Sequence, residues 1–237
     1  MSILNIHRLM SMIAVCAAAV GLVSCAASKS SDGLALNPTI YYKPTIHQSE
    51  SKCASTETRD LVSVEGKRLI TLCQKDYDNC LLQGSCFVDD GKEIVSFNYH
   101  STKEGVPRFM VVDTTKCPYG YGVRGICLDP YFSVAADLSV YDVGEVLFIP
   151  RLVGAELPTG EVHDGYVIVR DAGGAIKGAN RLDFFTGFFD HRQKANTLAR
   201  LGFGDPKNRF EFRRASSDER ALVQEQRGYP GLKPSNR

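Results

Sequence analysis

The chain has 237 residues, 43% of them hydrophobic and 23% charged, and its 28 Lys and Arg against 27 Asp and Glu give a formal net charge of +1. Charge this evenly balanced offers no electrostatic footprint for a nucleic-acid backbone, and nucleic acid is not an expected partner. The apolar content is too high for a disordered tail or a collagen-like repeat, and the length suits one sizeable domain, or one domain with a small insertion.

Residues 1–24 read as an export signal. His7 and Arg8 lead into an apolar run over residues 9–23, short of the ~20 residues that a bilayer span requires. The run ends at Leu22-Val23-Ser24-Cys25, which resembles the lipobox of bacterial lipoproteins. That resemblance implies lipidation of Cys25 and a membrane anchor, on the periplasmic face of the outer membrane if the host is Gram-negative. Plain secretion with cleavage nearby is the alternative. Residues 25–37 then form a flexible tether, rich in Ala, Ser and Gly at its start.

Six further cysteines, Cys53, Cys73, Cys80, Cys86, Cys117 and Cys127, agree with export, where an even number most simply forms disulfides. Short loops make Cys80–Cys86 and Cys117–Cys127 plausible pairs, but sequence does not choose among the pairings. No Cys-x-x-Cys pair is present, so no metal site is expected, and no cofactor.

In chain order, Thr39-Ile40-Tyr41-Tyr42 reads as a strand stopped by Pro44. Residues 61–64 and 68–72 are short apolar runs, followed by a polar loop from Gln74 to Cys86. Phe87-Val88, Asp89-Asp90-Gly91-Lys92 and Ile94-Val95-Ser96-Phe97 spell a hairpin. Residues 109–112, 146–149 and 166–170 are further strands. Helix signals come late, at 191–201 and from Ser217 on, with a half-buried strand at 209–213 between them and a mobile tail over 228–237. Many short strands punctuated by Gly and Pro argue for a barrel.

Gly120-Tyr121-Gly122-Val123-Arg124-Gly125 matches the spacing of a dinucleotide fingerprint. Cysteines bracket it, however, and no strand precedes it, so it is expected to be a closed loop. The histidines His47, His100, His163 and His191 are scattered and are expected at the surface.

The chemistry is concentrated later. Asp171-Ala172-Gly173-Gly174-Ala175-Ile176-Lys177-Gly178 follows a strand, and Asp183 sits among Leu182, Phe184 and Phe185. An apolar setting raises a carboxyl pKa, and a neutral carboxylic acid in a groove is what protonating a glycosidic oxygen demands. Taken alone, the two aspartates fit a turn and a solvated position better than a catalytic pair.

The combined pattern alters that balance. The D-A-G-G-A-I-K-G run, the Asp five residues beyond its last Gly and the aromatic pair after it resemble the 3D domain, named for three aspartates, of MltA-type lytic transglycosylases. Val134-Ala135-Ala136-Asp137 resembles the segment carrying the first aspartate, and Thr39-Ile40-Tyr41-Tyr42 the strand that opens the barrel. The resemblance implies a mainly β fold: a six-stranded double-psi β-barrel over residues 38–213, with a Cys-rich insertion at about 50–128 and short C-terminal helices, and a helix and tail over 214–237.

It also implies cleavage of the β-1,4 bond between N-acetylmuramic acid and N-acetylglucosamine in peptidoglycan strands, leaving a 1,6-anhydro end. Asp183 would be the single acid and base, and Asp171 its catalytic neighbour. Asp137 would be architectural or line the substrate groove, Thr39 and Tyr41 would contact the sugar or Asp183, Gly173 and Gly174 would let backbone approach the glycan, and Lys177 would be either a ligand contact or a solvated charge. Leu138 stands where the family usually has Pro, and Tyr141-Asp142-Val143-Gly144 replaces its usual Ile-Pro-Leu-Gly. A different class of function fits the same barrel, namely an expansin-like lipoprotein that binds wall polysaccharide without cutting it. A third possibility is a disulfide-stapled structural lipoprotein.

Overall fold

A computed structural model describes residues 35–190 and 192–233. The signal at 1–24, Cys25, residues 26–34 of the tether and His191 lie outside the described residues. The strands are β1 (Asn37–Tyr41), β2 (Thr45–His47), β3 (Thr58–Val62), β4 (Arg68–Cys73), β5 (Ser85–Asp89), β6 (Ile94–Lys103) and β7 (Val106–Val111), with helix α1 (Gln74–Gln83) after β4. They continue as β8 (Ser133–Ala135), β9 (Val146–Phe148), β10 (Tyr166–Asp171), β11 (Arg181–Phe185) and β12 (Arg213–Arg214). Helix α2 (Thr197–Arg200) precedes β12 and α3 (Ser217–Gln226) follows it.

The fold is mainly β, as expected. Its first part is a six-stranded mixed sheet in the order β1-β11-β8-β10-β9-β12. This sheet is a half-barrel whose two sides are linked by one segment. Phe210 pairs with Leu36 just ahead of β1, and Arg213 and Arg214 pair with Phe148 and Leu147 of β9. Val134, Leu147, Val167, Val169, Leu182 and Phe184 turn inward from four strands into one core. Each such side chain contributes about 1.5–3 kcal/mol by leaving water.

The second part is a four-stranded sheet, β2-β5-β6-β7, extended by the β3–β4 hairpin through a bridge between Ser63 and Phe109. It is shorter than the expected insertion. Its strands run from Thr45 to Val111, and the Cys-bracketed loop beyond returns to the half-barrel. Disulfides join Cys53–Cys73, Cys80–Cys86 and Cys117–Cys127, so both short-loop pairs form. The expected loop after Gln74 is instead helix α1. Its polar composition hides Tyr77, Cys80 and Leu81, spaced by three and four residues, which pack on the second core, and Gly84 ends it at φ 73°.

The C-terminal region differs from expectation in three places. The helix expected over 191–201 is only the single turn of α2, capped by the buried Asn196, whose side chain accepts from the N–H groups of Leu198 and Ala199. The strand expected at 209–213 is two residues long, with one bridge ahead of it. The start of the expected mobile tail is fastened, since Arg170 Nη1 donates to Gly231 O at 2.6 Å and Cys127 N to Pro230 O at 3.1 Å; residues 234–237 lie outside the described residues. Arg227 at the end of α3 pairs with the buried Asp129, its Nη2 2.8 Å from Oδ2.

Lys43 joins the two parts and is fully buried. Its ammonium donates to Ser96 Oγ at 2.6 Å and lies 4.2 Å from the Phe87 ring centroid. No carboxylate pairs with it among the described residues, and burial pulls its pKa down to about 7. The unfolded chain holds the proton to about pH 10.4, so the cost of burying the charge is complete below pH 7 and fades as pH rises from there. Lys43→Met is therefore expected to stabilise the protein by about 1–4 kcal/mol at pH 6, less any loss from the unpaired Ser96, and by much less at pH 9.5. Urea unfolding at the two pH values checks this.

Candidate active site

Strand register fixes the centre of the site. Thr39 of β1 lies opposite Asp183 of β11, Asp183 opposite Ala135 of β8, and Ala135 opposite Asp171 of β10. Residues directly opposite share a face of a sheet, so these four form one row across four strands. With neighbouring strands about 4.8 Å apart, the two aspartate backbones are about 10 Å apart, and the small Ala135 leaves a trough between them. On β11, Leu182 and Phe184 fill the core, which turns Arg181, Asp183 and Phe185 to the opposite face. Tyr41, two residues beyond Thr39, lies over this face with its ring 5.1 Å from that of Phe185.

Asp171 reaches the row through an irregularity. Val167 and Val169 are core residues, and simple alternation would send Asp171 into the core after them. Instead the register with β8 shifts between Val169 and Asp171, with Arg170 as the extra residue of a bulge. A bulge of this kind re-aims the side chain that follows it. The buried Arg170 guanidinium donates to Cys127 O at 2.9 Å as well as to Gly231 O. Gly122 packs so close to the bulge that a Cβ there would lie 2.2 Å from Arg170 O. The loop spelling the dinucleotide-like spacing is thus mounted on the strand end that carries Asp171. Only a one-turn 3-10 helix, Val123–Gly125, occurs in it.

The row opens into a cleft of about 990 Å³ between the two parts of the molecule. Tyr41, Ala135, Asp171, Gly173, Gly174 and Asp183 line one side; Leu82, Asn98, Tyr99 and Met110 line the other; residues 121–125 form a third wall. Thr39 contributes through Asp183 rather than by lining the cleft. Asp137 does not line it. Its carboxylate accepts from Gly178 N at 2.9 Å and from Ser139 N and Oγ at 3.0 and 2.8 Å, bonds that hold it down at about pKa 2. It secures the Gly-rich turn from behind, the architectural rather than the groove-lining one of its two expected places. Lys177 is exposed on that turn, also outside the cleft lining.

The two cleft carboxyl groups differ in their bonding. Asp171 accepts from Ala172 N on Oδ1 and from the Tyr41 hydroxyl on Oδ2, both at 2.9 Å. Burial, with the like charge of Asp183 adding to it, raises its pKa to about 6. Asp183 accepts from Thr39 Oγ1 at 2.5 Å on Oδ1, while Oδ2 has no partner among the described residues and is not sealed from solvent. Burial raises its pKa too, opposed by the Thr39 bond and by the charge of Arg181. Tyr41, pushed well above its ordinary pKa by burial, remains a neutral donor. Ala135, Arg170, Arg181 and the loop wall were missed in the sequence. The signal for Arg181 was its place two residues ahead of Asp183 on an alternating strand; the bulge and the loop wall left none.

Residues 132–199 match the family model of the 3D domain. Its fold is similar to that of Escherichia coli MltA, in a structure with bound chitohexaose. The TM-score is 0.50 at 17% identity, over 74% of this chain and 70% of that one. A membrane-bound lytic murein transglycosylase from Agrobacterium tumefaciens aligns at TM-score 0.48 and 14% identity, over 79% and 75% of the two chains. Lytic transglycosylase LtgG of Burkholderia pseudomallei aligns at 0.40 and 17%, over 74% and 70%. A comparison with the curated proteins finds no match.

The raised pKa of Asp171 makes a stability claim. Folded, it keeps its proton to about pH 6; unfolded, to about pH 3.9. The cost of ionising it in place is absent below the lower value, grows between the two and is complete above the higher. Asp171→Asn is expected to stabilise the protein by about 1–3 kcal/mol at pH 7 and to give no gain at pH 3.5. Thermal unfolding at the two pH values decides it.

Proposed function

We propose that the protein is a peptidoglycan lytic transglycosylase that cleaves the β-1,4 bond between N-acetylmuramic acid and N-acetylglucosamine. The observation that carries this reading is the asymmetry of the two carboxyl groups in the cleft. Asp171 has a donor on each oxygen, whereas Asp183 has one oxygen held by Thr39 and the other open to the cleft. A group that must give a proton and take one back needs an open oxygen and a pKa drawn toward neutrality, and Asp183 has both. The 3D domain and the fold likeness to a protein solved with a bound chitin oligosaccharide support a glycan as the ligand.

In this reading Asp183 protonates the leaving glycosidic oxygen as the C1–O bond breaks. The C6 hydroxyl of the muramic sugar closes on its own C1, and its proton passes to the Asp183 carboxylate. No water enters, the acid is regenerated, and no second carboxylate is required to activate a nucleophile. Asp171 keeps the site low in solvent and negatively biased, which favours the protonated form of its neighbour. Gly173 and Gly174 let backbone approach the sugar. We read the half-barrel as a six-stranded double-psi β-barrel, with the link between Leu36 and Phe210 as its closure. Export, lipidation of Cys25 and residence on the periplasmic face of the outer membrane complete the proposal and bring the cleft to its polymer.

Mass spectrometry of peptidoglycan incubated with the protein tests the reaction. The expected products are 1,6-anhydro-muropeptides, with Asp183→Asn lowering their formation about 10²–10⁴-fold. Reducing ends in their place would make water the acceptor and overturn the single-carboxyl mechanism. Wall binding without products would favour a non-cleaving, expansin-like binder. Ala135→Leu, which fills the trough between the carboxyl groups, is expected to lower kcat/KM at least about 100-fold at a stability cost of about 1–3 kcal/mol, read by the same assay and by thermal unfolding.

A further inference from the structure

Arg181 has no place in the mechanism above, yet it is bonded into it. Its Nη1 donates to Thr39 Oγ1 at 2.8 Å, and Thr39 Oγ1 lies 2.5 Å from Asp183 Oδ1. The parallel register sets this chain of contacts. Asn37 faces Arg181 and Thr39 faces Asp183, so a guanidinium two residues ahead of the carboxyl group reaches across to the hydroxyl between them. A second contact, Arg181 Nη1 to Asn37 O at 3.4 Å, steadies it.

The donor inventory then leaves one arrangement. A guanidinium only donates, so the Thr39 oxygen accepts from it. A threonine hydroxyl has a single proton, and the remaining partner of Thr39 is Asp183 Oδ1. That proton therefore points at Oδ1, and Oδ1 can only accept. When Asp183 is protonated, its own proton must sit on Oδ2, the oxygen left open to the cleft. Without Arg181 the hydroxyl could turn, accept a proton from Oδ1, and hide the acid's proton against β1.

We propose that Arg181 is a positioning residue. Acting through the Thr39 hydroxyl, it confines the exchangeable proton of Asp183 to Oδ2 and so aims it into the cleft. The inference uses the proposed role of Asp183, but its first test does not depend on turnover. The other charged or titratable groups that line the cleft with Asp183 are Tyr41 from β1, Asp171 from β10, Tyr99 and His100 from β6, Asp113 just after β7, and Tyr121 and Arg124 from the loop wall; β8 presents only Ala135. None of these is hydrogen-bonded to Arg181 or to the Thr39 hydroxyl, so a variant at Arg181 reports on this link.

The experiment is a carboxyl ¹³C NMR titration of Asp183, its signal assigned by its loss in Asp183→Asn, in wild type, Arg181→Met, Arg181→Lys, Thr39→Val and the Arg181→Met/Thr39→Val double variant. Arg181→Met should move the titration about one pH unit upward, and Arg181→Lys, still a donor only, should restore most of the wild-type value. In the Thr39→Val background the same Arg181→Met change should have less than half its effect, because the path through the hydroxyl is gone. An equal shift with and without Thr39 would mean that Arg181 acts through its field alone, and would overturn the proposal. So would an unmoved titration, or Lys and Met variants that behave alike. On peptidoglycan, Arg181→Met should lower kcat about 10–100-fold with KM little changed and move the pH profile to higher pH. Should no variant and no wild-type protein yield anhydro products, the transglycosylase reading fails, while the titration still decides how Arg181 acts on Asp183.

Discussion

The bulge at Arg170 is the constraint on which the site depends. A strand that has buried Val167 and Val169 would bury the next residue of the same parity, and that residue is Asp171. One additional residue reverses the facing, and the carboxyl group emerges beside Ala135. An extra residue in a ladder frees backbone groups and needs support. Here the support is Arg170 itself, whose guanidinium ties the loop after Cys117 and the C-terminal tail to the same point. The disulfide between Cys117 and Cys127 and the close approach of Gly122 brace that loop. Segments far apart in sequence thus converge on the strand end that positions one aspartate, and one of them walls the cleft.

Two carboxyl groups so near one another and so little hydrated oppose folding, and the surrounding hydrogen bonds determine how each one bears this. Asp171 is held on both oxygens by a backbone N–H and a tyrosine hydroxyl, so its geometry is fixed whichever protonation state it adopts. Asp183 is held on one. Burial alone would drive both toward the neutral acid, but the Thr39 hydroxyl and then the charge of Arg181 pull Asp183 back toward ionisation. A group balanced between burial on one side and a hydroxyl donor and a cation on the other can be acid in one step and base in the next, whereas an aspartate with only burial around it would stay protonated.

Legibility from sequence followed the range of the interactions. The hairpin at Asp89–Lys92, strands β1, β9 and β10 of the half-barrel and the two short-loop disulfides are readable because turn chemistry, alternation and loop length are local, whereas the short β8 and β11 between them are not marked as strands. Asp183 and Asp171 were readable because their glycine-marked spacing is distinctive. The sequence could not choose between the two roles expected of Asp137, because its bonds to Ser139 are local but the one to Gly178 comes from a turn some forty residues away. Helix α1 was hidden by its polar composition, since its three packing residues acquire meaning only against the second core. The fastened start of the tail was hidden for a related reason. Gly and Pro at a chain end usually signify freedom, but Arg170 lies across the fold waiting for Gly231 O.

The dinucleotide-like spacing shows how a motif can be discounted for the right reason and still matter. In a nucleotide fold the glycines would let a helix N-terminus meet a pyrophosphate. Here Gly120 and Gly125 take the left-handed conformation, at φ 91° and 72°, and Gly122 admits the backbone of a neighbouring strand. These are the tasks for which a missing Cβ is required, and they build a rigid loop with no phosphate involved. Between those glycines Arg124, with a side chain and φ 56°, stands at the cleft wall in a conformation that non-glycine residues rarely adopt. The rigidity that the glycines and the disulfide confer on either side is what allows the loop to hold it there. The third wall of the cleft therefore has a fixed shape, set by the same contacts that fix Asp171.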